Sequence, residues 1–154
     1  VTYSGTIAGA MEGCALGIPS IAMSQAYDDE SREEIDWSPG EVHGPALVRR
    51  LVETGWPDGT LININFPGCP AGEIAGTELV PQGRYDLQST EIEERRDARL
   101  RSYYWIGLRR RKATPPKDSD LAAIYGNKIS VTPLHLNLTD TSALKKMRQS
   151  LGWA

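Results

Sequence analysis

The chain has 154 residues, 40% apolar and 24% charged, an ordinary balance for one globular domain. Its net charge of −3 and pI near 5.4 argue against a general binder of nucleic acid or membrane surfaces. No apolar run reaches the roughly 18 residues of a membrane span, and no GxGxxG, Walker or paired CxxC motif points to dinucleotide or zinc binding.

The first seventeen residues, VTYSGTIAGAMEGCALG, organise the rest. Tyr3-Ser4-Gly5-Thr6 opens a predicted helix with Ile7, Ala8, Ala10, Met11, Cys14 and Ala15 on its apolar face. Gly17-Ile18-Pro19 stops it, and Ile18–Met23 reads as a strand. Two hydroxyls around a glycine leave the backbone accessible. The unpaired N–H groups of a helix start, with the macrodipole behind them, favour an anion there. The competing reading is that Ser4 or Thr6 only caps the helix, and caps are the commoner case for such a turn taken alone.

Ser24–Gly40 is polar and acidic and reads as a surface loop. Glu41–Gly55 is a second helix with Val42, Leu47, Val48, Leu51 and Val52 as its stripe. His43, near its start, is either a general base or an ordinary polar position, and no partner at motif spacing favours the former. Leu61–Pro67 (LININFP) alternates as a strand, with Asn63 and Asn65 on one face and Ile62, Ile64 and Phe66 on the other. This predicts a half-exposed strand. Helix, strand, helix, strand suits an α/β layered domain with a mostly parallel sheet.

Thr77–Val80 is a short strand. The charged stretch Asp86–Arg101 and the aromatic Ser102–Leu108 suggest an extended hairpin arm. Tyr104 and Trp105 either pack on the chain's own core or form an oligomer contact. The basic run Leu108–Lys112 reads as a solvated strand end, or as positive potential near an anionic substrate. Asp118 or Ser119 caps a short helix, Leu121–Tyr125, and Asp120 is read as a capping or surface carboxylate before a catalytic one. Lys128–Pro133 is a strand. Thr141–Leu151 is a terminal helix capped by Asp140 or Thr139, with Leu144, Met147 and Leu151 on one face. Cys14 is expected buried and Cys69 in a turn. Two unclustered cysteines fit a reducing, cytoplasmic location.

YSGT followed by a small-residue helix containing MEG, then LGIPSIAMS, LININFP, SYYWIG and ISVTPLHLNLTD in that order, resembles the SurE family of metal-dependent 5′/3′-nucleotidases. The resemblance runs from Val1 to Asp140. It implies a layered Rossmann-like α/β fold. It assigns Ser4, Gly5 and Thr6 to the substrate phosphate, which reverses the preference for simple capping. It implies phosphomonoester hydrolysis of nucleoside monophosphates with a divalent cation, Mg2+ or Mn2+. It also implies a dimer or tetramer in which Tyr104, Trp105, Leu144, Met147 and Leu151 contact a partner copy, with no nucleic-acid polymer or membrane as partner. The family's metal pair, an Asp-Asp after an N-terminal strand, and its serine and asparagine ligands have no match here. Asp28-Asp29 lies in the acidic loop with Glu30, Glu33 and Glu34 and is a poor substitute. The Thr-Asp pair of the family is Ser119-Asp120 in this chain. The expected organisation is therefore the C-terminal part of a family member, inactive by itself. It comprises a core portion over 1–70, a strand and hairpin arm over 71–112, and a return strand with terminal helix over 113–154. Such a piece should expose apolar sheet surface or an unpaired edge. An assembly module without catalysis, and an α/β domain for another anionic ligand, are the alternative functions.

Overall fold

The strand Thr60–Phe66 (β2) is the buried centre of the domain: six of its seven residues are buried and Asn65 is partly so. In the computed structural model, which describes residues 4–27, 35–83, 90–108 and 115–153, β2 has a neighbour on each side. Ile21–Gln25 (β1) runs parallel to it, with Gln25 opposite Phe66. Lys128–His135 (β6) runs antiparallel to it, and Gly76–Leu79 (β3) lies parallel to β6. The sheet order is β1-β2-β6-β3, so two of its three pairings are parallel and β1 is an edge strand among the described residues.

A helix covers each face of the β1–β2 pair. Gly5–Ala15 (α1) packs Ile7, Ala10 and Cys14 against Ala22 and Leu61. These positions are three and four apart, so they share one side of the helix. The apolar face is narrower than the sequence suggests, since Ala8 and Ala15 are exposed. At the helix end the Gly17 amide donates to Cys14 and the Ile18 amide to Gly13, with Gly17 at φ +76°. This left-handed Schellman closure uses up three residues, so the strand starts at Ile21 rather than Ile18.

Ser38–Thr54 (α2) lies on the opposite face, with Leu47 and Leu51 against the cluster of Ile62, Ile64, Phe66, Ile129 and Val131. It begins three residues before the predicted Glu41. Pro39 occupies the first turn, where a missing N–H costs nothing, so Trp37-Ser38-Pro39-Gly40 is a helix start and not the end of a loop. Val42 and Val52 are exposed, which corrects the expected stripe to Leu47, Val48 and Leu51. Because both faces of the sheet are covered, β2 is a fully buried strand and not the half-exposed one that its alternation suggests. Asn63 is only 4% exposed.

Thr90–Arg96 (β4) and Ser102–Leu108 (β5) form a separate antiparallel hairpin, with Trp105 opposite Glu93. Tyr104 and Trp105 are exposed, so packing on the chain's own core is not their role in the structure. Asp120–Tyr125 (α3) is capped by Ser119, whose Oγ accepts from the Ala122 amide at 3.3 Å. Thr141–Leu151 (α4) is capped by Asp140 and buries none of its residues.

Candidate functional site

α1 and α2 both run antiparallel to the strands they cover. Gly13, near the end of α1, approaches Ser20, the residue before β1, where a Cβ would lie 2.5 Å from the Ser20 Oγ. Gly40, in the first turn of α2, lies beside Gln25 and Phe66 at the far ends of β1 and β2. The two helix N-termini therefore meet the same edge of the sheet from opposite faces. That edge carries the carboxyl ends of the parallel strands, where open α/β sheets place their ligands.

On the α1 side, Ser4 is the N-cap, with extended backbone (φ −86°, ψ 117°). Its Oγ accepts from the Ile7 amide at 3.2 Å, and its carbonyl accepts from Ala8 at 3.0 Å. Among the described residues nothing accepts from the Gly5 and Thr6 amides. Both residues are exposed, and a Cβ on Gly5 would meet no atom within 4 Å. Capping leaves the Ser4 hydroxyl proton free to donate. The corner thus presents up to four donors: two amides and two hydroxyls. Tyr3 lies outside the described residues.

On the α2 side, a cavity of about 300 Å3 is lined by Met23, Ser24, Gln25, Trp37, Gly40, Glu41 and Phe66. The Gln25 Nε2 donates to the Asp36 carbonyl. Asp36 Oδ1 accepts from the Ser38 amide at 2.9 Å, and the Ser38 N–H and hydroxyl together hold the Asp36 carboxyl below its ordinary value. Sequence reasoning treated this stretch as loop and missed the cavity. The available signal was Ser-Pro at a helix start directly after a tryptophan.

The other singled-out residues have structural partners. His43 Nε2 donates to the Ala71 carbonyl at 3.0 Å, while Ser38 Oγ accepts from the Ala71 amide at 3.1 Å, so both tie one turn to α2. Asp120 Oδ1 accepts from Gly83 at 2.7 Å and from Leu121 at 2.8 Å. Asn65 Nδ2 donates to Ser130 Oγ at 3.3 Å. Cys14 is buried and Cys69 half-buried, both as free thiols. Asp28, Asp29, Glu30, Glu33 and Glu34, and residues 109–112 of the basic run, lie outside the described residues.

A divalent cation needs several oxygen or nitrogen ligands converging on one point. Among the described residues no group of three or more His, Cys, Asp or Glu side chains does so. The described residues therefore do not fit such a cation, and no step below runs through one.

The family model for "Survival protein SurE" matches residues 1–89, more than half of the chain. The chain belongs to the SurE family. It is 47% identical over 152 residues to the 5'-nucleotidase SurE of Parvibaculum lavamentivorans, covering 99% of this chain and 55% of that protein. The 5'-nucleotidase SurE of Brucella anthropi is 48% identical over 153 residues, covering 99% of this chain and 59% of that protein. The crystal structure of the SurE protein from Aquifex aeolicus superposes with a TM-score of 0.74 at 33% identity, over 97% of this chain and 58% of that one. The chain thus spans little more than half the length of these relatives. No helix among the described residues is long and apolar enough to cross a membrane.

Proposed function

We propose that this SurE chain supplies the phosphate-holding part of a nucleotide phosphomonoester hydrolase. The observation that supports this most is the open corner at Ser4–Thr6, with two amides that no described residue accepts from. A phosphate oxygen set against these amides sits at the positive end of α1, and the Ser4 and Thr6 hydroxyls add two more donors. Such donors stabilise charge that grows on the phosphoryl oxygens as the ester bond breaks. The substrate class proposed is the nucleoside monophosphates, following the 5'-nucleotidase naming of the relatives.

Mg2+ or Mn2+ belongs to this proposal as a requirement of turnover in a polypeptide of the relatives' full length. The 154-residue chain by itself is proposed to bind phosphate without turning it over. The test is a titration of the chain with a nucleoside monophosphate, paired with a hydrolysis assay in Mn2+. Binding lost in a Ser4→Ala, Thr6→Ala double variant, without turnover in the native chain, supports the reading. Binding that survives the double variant overturns it.

A second reading rests on a different observation. Leu144, Met147 and Leu151 on α4 are 40%, 59% and 48% exposed, and Tyr104 and Trp105 on the hairpin are 66% and 53% exposed. Apolar faces of this kind are contact surfaces. We propose that they join copies of the chain into a dimer or tetramer, with Leu144→Asp, Met147→Asp giving a smaller species in light scattering. An unchanged mass removes the α4 part of this reading.

A further inference from the structure

The tip of the β4–β5 hairpin is closed by Asp97. Its Oδ1 accepts from the Arg99 amide at 2.8 Å and from the Arg101 amide at 2.9 Å, and its carbonyl accepts from the Leu100 amide at 2.9 Å. The Asp97 amide donates in turn to the Arg101 carbonyl at 3.0 Å. This clasp holds Leu100 at φ +60°, a backbone that suits glycine better than leucine, and leaves its side chain 75% exposed. Leu100 therefore costs the fold stability and gains no burial within its own chain. Arg96, Arg99 and Arg101 stand exposed around it, and among the described residues no carboxylate pairs with them. Arg95 differs, being bonded to Glu93 and set over the Trp105 ring at 5.2 Å. The tip is an apolar knob between unpaired cations.

The cavity at the carboxyl ends of β1 and β2 has the opposite character. Phe66, 2% exposed, lies deepest in it, and the side chains of Met23 and Trp37 are 40% and 52% exposed on its walls. The Glu41 carboxylate, on the lining, has no partner among the described residues, and Asp36, the exposed neighbour of Trp37, is a second acid. The volume of about 300 Å3 admits a leucine side chain with an arginine stem beside it. This is an apolar socket with an acidic rim.

Within one chain the two features do not meet, since Leu100 is exposed and is not part of the cavity wall. We propose that Leu100 of one copy seats in the Phe66, Met23 and Trp37 cavity of a second copy, with Arg99 and Arg101 against Glu41 and Asp36. The sign of charge matches on both sides, and the knob finds apolar walls. The arginine stems cover the Trp37 indole, as Arg95 already covers Trp105, and the guanidiniums face the carboxylates. A polyanion would satisfy the arginines alone and leave Leu100 in water, so the second copy is the better fit. The contact is separate from the α4 contact proposed above and does not rest on the nucleotide reading. It brings a side chain of one copy to the carboxyl edge of the sheet of another.

The test is a dilution series of the 154-residue chain followed by NMR. The Gly40 amide and the Trp37 indole N–H are expected to shift with concentration, and high salt is expected to weaken the effect. Leu100→Gly suits the left-handed backbone, so it is expected to unfold no more easily and yet to lose the concentration dependence. Glu41→Lys is expected to weaken it. In a mixed sample of labelled and unlabelled chain, isotope-filtered NOEs are expected between the Leu100 methyls of one copy and the Met23 methyl of another. The same series on Leu144→Asp, Met147→Asp is expected to keep the shifts at Gly40, which separates this contact from that of α4. Resonances of Gly40 and Trp37 that do not move on dilution overturn the proposal, as does a concentration dependence that survives Leu100→Gly.

Discussion

Ser4 Oγ accepts from the Ile7 amide at 3.2 Å, so the residue proposed to touch phosphate is also the cap of α1. The two roles use different parts of one hydroxyl and can be separated. Ser4→Ala is expected to lower unfolding stability by about 1 kcal/mol, the usual value of such a cap, and also to weaken phosphate binding. Thr6→Ala, inside the helix and not a cap, is expected to weaken phosphate binding with little change in stability. Urea unfolding beside phosphate titration distinguishes the two. Equal stability losses in both variants contradict the division of roles.

The core of β2 supplies the second prediction. Ile64 is fully buried and lies in one cluster with Phe66, Ile129 and Val131. Ile64→Ala is expected to cost about 2–5 kcal/mol through lost burial and the cavity left behind. Ile92→Ala, on the exposed hairpin, is expected to cost under about 0.5 kcal/mol. Chemical denaturation of both variants checks the contrast.

The third prediction concerns Gly13. A methyl there would sit 2.5 Å from the Ser20 Oγ, which donates to the Ile18 carbonyl at 2.8 Å. Gly13→Ala is expected to destabilise by about 1–3 kcal/mol through overpacking. Adding Ser20→Ala removes the clashing atom and leaves only an ordinary contact at 3.6 Å. The double variant is then expected to be more stable than Gly13→Ala alone. A strictly additive pair in thermal unfolding contradicts this reading.

Asp140 gives a prediction about pH. Its carboxylate accepts from the Ala143 and Ser142 amides, both at 2.9 Å, and these bonds, with one from the Ser142 hydroxyl, hold its pKa below the ordinary aspartate value. A folded-state pKa below the unfolded one means that the cap's contribution is complete above about pH 4 and disappears as pH falls through the lowered value. The helicity of α4 is therefore expected to drop in acid. Asp140→Asn keeps a capping oxygen without a titrating group and is expected to lose that dependence. Circular dichroism from pH 7 to pH 2 on both proteins tests it.

Local signals in the sequence matched the structure where short-range chemistry decided it. Ser4, Ser119 and Asp140 all cap the helices assigned to them, and Gly17 closes α1. Boundaries moved where one residue carries two meanings. Pro39 marks a turn in isolation but starts a helix in the fold, because the first helical turn has no use for its N–H. The burial of Asn63 was not legible, since alternation cannot say whether a second layer covers the polar face. The cavity at Gln25 and Trp37 was least legible of all. Its walls come from β1, β2 and α2, and only the packing brings them together.

The central claim is that the start of α1 holds a phosphate, and the resonances of the Gly5 and Thr6 amides in the 154-residue chain report on it most directly. On titration with inorganic phosphate the account predicts saturable shifts at these two amides, with those of α4 unmoved. Shifts that are absent, or spread evenly over every exposed helix start, would contradict it.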